Sequence, residues 1–539
     1  MSVVRDVTSV GSATLASRLL GFLRDMGIAA VLGAGPLSDA YFAALQIPNL
    51  FRRLVADGAL NAAFVPAWMR TRQSGGDADR FTWNVLAVNA LVLGLVALIC
   101  IVFAPTVVML LLPGFDDDDT RFGTAVTLLR LAAPYVIIAG LVATASASLN
   151  AQGQVRAAAF SVVAFNMVLI GAIAFVLIVG TGTSQPTANL LAGSIVVAGL
   201  VQFVLVARGA LSRHCERSEA IQNGTSALDC FASLAMTTLR PRRLRPEFSP
   251  ELRGFYAKAL PGLIASGIPQ LKLIAGAMVA SSSPAAVSWL YYANRLYELP
   301  LGVVSVAIAS VLGPRIAASV LVRDRSALAS TQARAFEVSL GLAVPSAIAF
   351  ITLAQPIAAG LFERGAFGPQ DAAAVAAALA AMAAGLPGHV LEKALGAISF
   401  GHHDTKSPMW AALAGLASTV VLAFALFPSY AQVGVAAAIG LSGWVGASLL
   451  GVALWRRGWI ALDPSAGRRI VAILIAAVVM GTVIMAADRL FSFGFDPQGP
   501  VLGRLVRLAA LVLLGLLVYL STLQALGIVR VGALLRSIR

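Results

Sequence analysis

The chain has 539 residues, of which 59% are hydrophobic and only 12% are charged, and its mean hydropathy is +0.86. This composition excludes a soluble globular protein and predicts an all-α polytopic membrane protein. The formal net charge of +14 does not indicate a nucleic-acid partner, because basic loops beside anionic lipid account for it more simply.

Stretches of predominantly apolar residues predict the membrane-spanning helices. A window of about 20 apolar residues crosses roughly 30 Å of hydrocarbon, and such windows predict about 14 transmembrane helices. Two of them, 38–69 and 371–400, are long enough to require a tilt or a break. The predicted spans are residues 10–33, 38–69, 82–112, 122–150, 157–180, 187–209, 254–280, 286–319, 330–354, 371–400, 407–427, 431–455, 468–488 and 502–526.

The charges of the predicted loops indicate the orientation, since short cytoplasmic loops are enriched in Lys and Arg. With the N-terminus inside, the basic loops fall on the cytoplasmic side and an acidic run falls on the other. We therefore predict both termini in the cytoplasm. The residues behind this assignment are Arg70, Arg72, Arg80, Arg156, Arg315, Arg323, Arg325, Lys406, Arg456, Arg457, Arg468 and Arg469 inside, and Asp116 to Asp119 outside.

One connection, residues 211–253, is much longer than the others. Its core resembles a translated interspersed DNA repeat, and insertions into loops cost little because the closure entropy grows only slowly with length. We interpret it as a tolerated insertion between parallel repeats. The predicted organisation is an N-terminal lobe with spans 1–6 at 1–210, this cytoplasmic loop at 211–253, a C-terminal lobe with spans 7–12 at 254–456, and spans 13–14 at 457–539.

Four arginines lie inside the first two predicted spans: Arg18, Arg24, Arg52 and Arg53. A charge at mid-bilayer costs roughly 2.5–3.5 kcal/mol even on lenient scales, so these residues must face water, partners or an anion. The guanidinium fork matches phosphate oxygens bidentately. The arginines therefore predict a polar cavity for a negatively charged cargo, most simply a diphosphate.

Further charges accompany the arginines. Arg53 and Asp57 are four residues apart and can pair along a helix, which would leave Arg52 freer to contact cargo. The alternative is that the basic side chains reach the interface or form salt bridges between helices. The other predicted interior charges are Asp25, Asp39, Lys272, Arg295, Glu298, Glu392 and Lys393.

Motifs for chemistry are mostly absent from the sequence. The run His402-His403-Asp404 is more simply a polar turn than a metal site, and no Walker-type G-x-x-x-x-G-K-[ST] sequence is present. No catalytic triad or paired-carboxylate site can be defended. The sequence predicts a transporter without a cofactor, not an enzyme.

Three segments carry a resemblance to a known family. Residues 17–25 read SRLLGFLRD, residues 47–54 read IPNLFRRL, and residues 287–296 read VSWLYYANRL. In these segments the chain resembles the MurJ/MviN family of lipid II flippases, and the resemblance covers the chain outside 211–253.

The resemblance implies a fold like that of the multidrug/oligosaccharidyl-lipid/polysaccharide exporters, in a bacterial inner (cytoplasmic) membrane. It implies transport of undecaprenyl-diphosphate-linked disaccharide-pentapeptide, lipid II, from the inner to the outer leaflet by alternating access. The implied partners are lipid II, membrane lipid and the cell-wall synthesis machinery. A flippase for another undecaprenyl-diphosphate-linked glycan, or a cation-coupled drug exporter of the same superfamily, is the alternative.

The resemblance also implies roles for individual residues. Arg18, Arg24, Arg52 and Arg295 would line the cavity and bind the diphosphate, with Arg53 beside them. The last two helices would form a groove for the lipid tail. Asn294 and Lys272 depart from the usual family pattern, so the sequence leaves the energy source open. Residues with an expected supporting role are Asp25, Asp39, Asp57, Lys272, Glu298 and Lys393.

Overall fold

The structure is a computed structural model, and it describes residues 2–56, 59–115, 120–219, 250–322, 324–461, 463, 465–492 and 501–528. Within these residues helices are the only regular secondary structure. The predicted all-α class is confirmed.

In the part of the chain that the structure describes, nine helices lie before residue 220. Their boundaries follow turn and capping residues: Asp77, for example, accepts hydrogen bonds from the N–H groups of Asp79 and Arg80 and so caps α4. The helices are α1 Ser2–Leu32, α2 Pro36–Ala56, α3 Ala59–Gln73, α4 Ala78–Val102, α5 Ala104–Leu111, α6 Thr120–Ala132, α7 Pro134–Ala151, α8 Val155–Val179 and α9 Gln185–Glu219.

Among the described residues from 250 onward there are ten further α-helices, with a short π-helix, Ile308–Leu312, between two of them. Asp324 caps α13 through the N–H groups of Ser326 and Ala327. These helices are α10 Pro250–Ala280, α11 Ala286–Ala307, α12 Gly313–Val322, α13 Arg325–Thr352, α14 Ala354–Phe362, α15 Pro369–Ala383, α16 Leu386–Gly401, α17 Lys406–Arg456, α18 Ala466–Ser492 and α19 Val501–Ala525.

Many of the helices can cross a membrane. In the described part of the chain, eight are long and apolar enough by themselves, and up to ten if each of two bent helix pairs is one span. The protein is therefore a multi-pass membrane protein. The count of 14 spans stays a prediction.

One of the two long predicted spans contains a bend within the described residues. The predicted span 371–400 corresponds to α15 and α16, which are bent by 42°. The predicted span 38–69 corresponds to α2 and α3, and residues 57–58 between them lie outside the described residues. The predicted spans 407–427 and 431–455 lie on either side of a break within α17, because Ala431 has a non-helical backbone with φ of 46°. The place of this break agrees with the predicted boundary between the two spans.

The chain forms two compact units. The first unit comprises Met1–Ile28, Ala43–Leu110 and Asp117–Gln270; the second comprises Ala29–Phe42, Leu111–Asp116 and Leu271–Arg539. Because α1, α2 and α10 each continue from one unit into the other, compact packing does not follow chain order. The division into two six-helix lobes plus two C-terminal helices stays a prediction.

Each unit has its own packed interior. In the first, the rings of Phe64, Phe81 and Phe255 pack at centroid distances between 5.5 and 6.1 Å, in a cluster that joins α3, α4, α7 and α10. Aromatic pairs of this kind add about 0.5–1.5 kcal/mol beyond the area they bury. In the second, Gly385 and Gly440 approach so closely that a Cβ on Gly385 would overlap the backbone of Gly440, so α17 packs directly on the bend before α16.

Candidate functional site

Arg24 is held in place within the first unit. Its Nε and Nη2 donate to Asp25 Oδ1 at 3.0 and 2.8 Å, and the Asp25 side chain is fully buried while that of Arg24 is 19% exposed. A buried carboxylate is stable only when it is paired. The ion pair therefore fixes the guanidinium and balances its charge before any cargo binds.

Asn166 of α8 joins this arrangement and was not singled out by sequence reasoning. Its Oδ1 accepts from Arg24 Nη1 at 3.2 Å, and its Nδ2 donates to the carbonyl oxygen and hydroxyl of Ser17 at 3.3 and 3.4 Å. Ser17 and Arg24 are seven residues apart and share a face of α1, as their spacing predicts. The sequence signal for Asn166 was a lone amide in the otherwise apolar middle of a predicted span.

The other N-terminal arginines are less enclosed. Arg18 is exposed, and Arg52 and Arg53 are half-buried. The side chain of Arg52 makes no hydrogen bond or ion pair with any residue that the structure describes. Asp57 lies outside the described residues, so its pairing with Arg53 stays a prediction.

Asp39 has a structural role that the sequence did not reveal. Its buried carboxylate accepts hydrogen bonds from the N–H groups of Ala285 and Ser288 at 2.7 and 2.8 Å, and from the Ser288 hydroxyl at 2.5 Å. These donors lie at the N-terminus of α11, whose first N–H groups have no partner within the helix. Asp39 therefore caps α11 from a distant part of the sequence.

Helix α11 carries Arg295 in the second unit. Arg295 Nη1 lies 3.7 Å from Glu298 Oε2, one helical turn on, and both side chains are about a quarter exposed. Phe42 stacks on Tyr291 of the same helix at 3.8 Å. The helix that presents Arg295 is thus fixed at its start by Asp39 and along its side by an aromatic contact.

The remaining predicted charges lie on α10 and α16. Lys272 is 5% exposed and interacts electrostatically with Glu392 and Lys393. Lys393 itself is exposed, although the sequence placed it among the interior charges. Adjacent residues on a helix point about 100° apart, so Glu392 and Lys393 cannot both face the same interior.

Ion pairs also fix the last two helices of the second unit. Arg507 of α19 pairs with Asp488 of α18 at 2.7 Å, and Arg504 of α19 pairs with Glu363, which follows α14, also at 2.7 Å. Both pairs are partly buried, so they define the register of α19 more sharply than exposed pairs would.

The arginine side chains described above have the chemistry needed to recognise an anion. Arginine in a fixed orientation can bind phosphate or carboxylate oxygens with two parallel hydrogen bonds. Among the residues that the structure describes, no cluster of three or more His, Cys, Asp or Glu side chains is arranged to hold a metal ion. The described groups therefore favour binding of an anionic cargo.

The architecture matches solved transporters. A structure of "Lipid II flippase MurJ, inward closed conformation" matches with a TM-score of 0.72 at 22% identity, over 95% of this chain and 97% of that one. An inward-facing multidrug resistance MATE family transporter of the MOP superfamily matches with a TM-score of 0.60 at 14% identity, over 85% and 95%. The fold is that of this class of polytopic helical transporters.

The sequence comparisons are more specific. The family model for "Lipid II flippase MurJ" matches residues 28–498. The "Probable lipid II flippase MurJ" of Rhizobium tropici is 35% identical over 542 residues, which cover 100% of this chain and 97% of the relative. The "Lipid II flippase MurJ" of Burkholderia cenocepacia is 30% identical over 533 residues, covering 98% of each.

The chain belongs to the lipid II flippase MurJ family. The resemblance noted in the sequence is confirmed. Together with the apolar helices, membership makes the protein a multi-pass transporter of the bacterial inner membrane.

Proposed function

We propose that this protein translocates lipid II from the inner to the outer leaflet of the bacterial cytoplasmic membrane by alternating access. The observation that carries the proposal is the family match over residues 28–498. Relatives named as lipid II flippases align with nearly the whole chain.

The first unit supplies the proposed ligands of the diphosphate: Arg24 and Arg52, with Arg18 and Arg53 as further contacts. Arg24 is already oriented by Asp25 and Asn166, so little side-chain entropy is lost when an anion binds. Arg52 is half-buried and has no competing partner among the described residues. This combination favours capture of an anion by Arg52 and precise orientation by Arg24.

Arg295, on α11 of the second unit, is a further proposed anion-binding residue. Glu298 supports its guanidinium, and Asp39 supports the helix that carries it. We also propose supporting roles for Asp25, Lys272 and Lys393. The same kind of role is proposed for Asp57, which lies outside the described residues.

For the undecaprenyl chain we propose a groove along α18 and α19. Leu502, Leu513 and Leu517 of α19 are between 60% and 73% exposed, so this helix presents an apolar surface that matches a lipid tail. A cytoplasmic location of both termini, and contact with the cell-wall synthesis machinery, remain further parts of the proposal.

The test is exposure of the lipid II headgroup on the outer leaflet of cells depleted of their own flippase and supplied with this protein. We expect the native chain to restore exposure, and Arg24→Ala and Arg52→Ala to fail at equal expression. Arg72→Ala is the matched control, because Arg72 only lies over the Trp68 ring at the exposed end of α3.

Two results would contradict the proposal. A native chain that expresses in the membrane but leaves lipid II unexposed would favour another undecaprenyl-diphosphate-linked glycan as cargo. Equal activity of Arg24→Ala, Arg52→Ala and Arg72→Ala would remove the arginines from the binding site while leaving the family assignment intact.

A further inference from the structure

A set of titratable side chains lies within the second unit, apart from the arginines. Lys272 of α10 and Tyr297 of α11 are 5% and 3% exposed, and His389 and Glu392 of α16 are half-buried. Three apolar helices thus bring an amine, a phenol, an imidazole and a carboxylate together. Burial of ionisable groups in a membrane protein is expensive and marks functional positions more often than structural ones.

Glycines of α17 make room for this set. A Cβ on Gly415 would lie 2.8 Å from Lys272 Nζ, and a Cβ on Gly446 would lie 2.8 and 2.9 Å from the carboxylate oxygens of Glu392. Both distances are shorter than real Cβ contacts. The charged ends of Lys272 and Glu392 therefore pack directly on the backbone of α17, at places where any larger residue would displace them.

The charges in the set depend on one another. Glu392 interacts electrostatically with Lys272 and with Lys393, and Lys272 and Lys393 also act on His389. In a low-dielectric interior an unpaired charge costs several kcal/mol, so the Glu392 carboxylate compensates the buried Lys272. A proton gained by Glu392 would remove this compensation from Lys272, which gives the proton a large effect on local packing.

His389 can hold or release a proton without losing its hydrogen bonds. Its Nδ1 lies 2.7 Å from Tyr297 Oη, and its Nε2 lies 3.5 Å from Ser442 Oγ. Because Ser442 Oγ donates to the Ile439 carbonyl, it is free to accept from Nε2–H. The Tyr297 hydroxyl can donate to neutral Nδ1 or accept from protonated Nδ1.

The set also lies where a change in charge can move a helix. His389 and Glu392 occupy the first two turns of α16, just after the 42° bend that separates it from α15. Tyr297 lies two residues after Arg295 on α11. The hydrogen bond between His389 and Tyr297 therefore links the bent helix to the helix that presents Arg295.

We propose that Lys272, His389 and Glu392 form an intramembrane proton-binding site, and that one proton exchanged there is coupled to each cargo molecule moved. The Glu392 carboxylate takes the proton from water on one side of the membrane and becomes a neutral carboxyl, and water on the other side takes it back. The coupling step rests on the proposed transport of lipid II; the proton site does not.

The proton site is tested on the purified full chain by infrared difference spectroscopy between pH values, in H₂O and in D₂O. We expect the carbonyl band of a protonated buried carboxyl, shifted by deuterium, to be present in the native protein and lost in Glu392→Gln. The matched control is Glu337→Gln, because Glu337 is a 9% exposed carboxylate of the same unit that pairs with Arg469 at 2.7 Å. A band that is absent from the native protein, or that survives Glu392→Gln, overturns the site.

The coupling is tested in vesicles containing lipid II, with a pH gradient imposed and the membrane potential clamped at zero. One proton per cargo shifts the leaflet ratio of lipid II by about tenfold per pH unit. We expect this shift in the native protein and in Glu337→Gln, and its loss in Glu392→Gln, which still equilibrates the lipid. If the leaflet ratio of lipid II in vesicles with the native protein does not change with the pH gradient, the proposed coupling is wrong. If the native protein moves no lipid II, the proposed function fails, and the infrared band alone decides the proton site.

Discussion

At the scale of single residues, the N-terminal arginines differ in how tightly they are held. Arg24 is bound by a fully buried carboxylate and by the amide of Asn166, whereas Arg52 makes no polar contact with the described part of the chain. Pre-orientation lowers the entropy that binding must overcome. In the proposed function, the fixed Arg24 guanidinium would orient the cargo, and the less constrained Arg52 would capture and release it.

Replacing Asn166 by alanine tests whether the orientation of Arg24 matters. The change removes the acceptor for Arg24 Nη1 and the donor to Ser17 while leaving the Arg24–Asp25 ion pair. A hydrogen bond to a charged group contributes about 1.5–3 kcal/mol, so we expect lipid II exposure to slow by about tenfold or more. The measurement is the rate of headgroup exposure at equal membrane expression.

Asn84→Ala is the control for this experiment, because Asn84 is another buried amide of the first unit, on α4. We expect it to keep a near-native rate. If both variants slow equally, loss of any buried amide is the cause and Asn166 has no particular role.

At the scale of helices, Asp39 connects distant segments. Asp39→Ala would leave the N–H groups of Ala285 and Ser288 buried without their acceptor, at about 1–3 kcal/mol each. Asp39→Asn keeps one acceptor oxygen and should lose only part of this energy. We expect the thermal unfolding temperature in detergent to fall in the order native, Asp39→Asn, Asp39→Ala. Equal unfolding temperatures for all three would show that α11 needs no cap from Asp39.

A second connection joins the two ends of α17. It is formed by Asp404, in the turn before the helix, and Arg457, the residue that follows its last turn. Asp404 accepts hydrogen bonds from the N–H groups of Lys406 and Ser407 at 3.0 and 3.1 Å, and from the Arg457 guanidinium. Partial burial raises the pKa of Asp404, but these hydrogen bonds, together with one from the Ser407 hydroxyl, outweigh it and lower the pKa to about 2 from an ordinary value of 3.8. The ionised carboxyl therefore stabilises the folded state.

The sign of this effect predicts a pH dependence. A carboxyl whose pKa is lower in the folded state stabilises it fully above the unfolded pKa, and the contribution disappears as the pH falls from about 4 to about 2. We expect Asp404→Asn to unfold at a lower temperature than the native protein at neutral pH, with the difference shrinking across that window. Melting curves in an acid-stable detergent measure it, and a difference that stays constant with pH would contradict the assignment.

At the scale of the whole molecule, the features that could be predicted from the sequence are those that depend on the local pattern of residues. Apolar runs predicted the helical class, and the seven-residue spacing of Ser17 and Arg24 predicted the face that meets Asn166. The cap of α11 by Asp39 could not be predicted, because it joins residues 249 positions apart. The break at Ala431, close to Pro428, falls where the predicted spans 407–427 and 431–455 meet. The 42° bend between α15 and α16 could not be placed within the predicted span 371–400, since a kink depends on what packs against the helix.

The long connection allows a last prediction about the whole chain. Helix α9 ends at Glu219 and α10 begins at Pro250, and the intervening residues 220–249 lie outside the described part of the chain. Replacing them with about ten Gly and Ser residues lowers the entropic cost of closing the loop by about 1 kcal/mol. We therefore expect lipid II exposure within about twofold of native, and an unfolding temperature that is unchanged or slightly higher. A variant with 220–249 scrambled at constant composition separates length from sequence. Loss of exposure in both variants would show that the native segment has a specific role, whereas loss in the shortened variant alone would show that the two helices need the length of the connection and not its sequence.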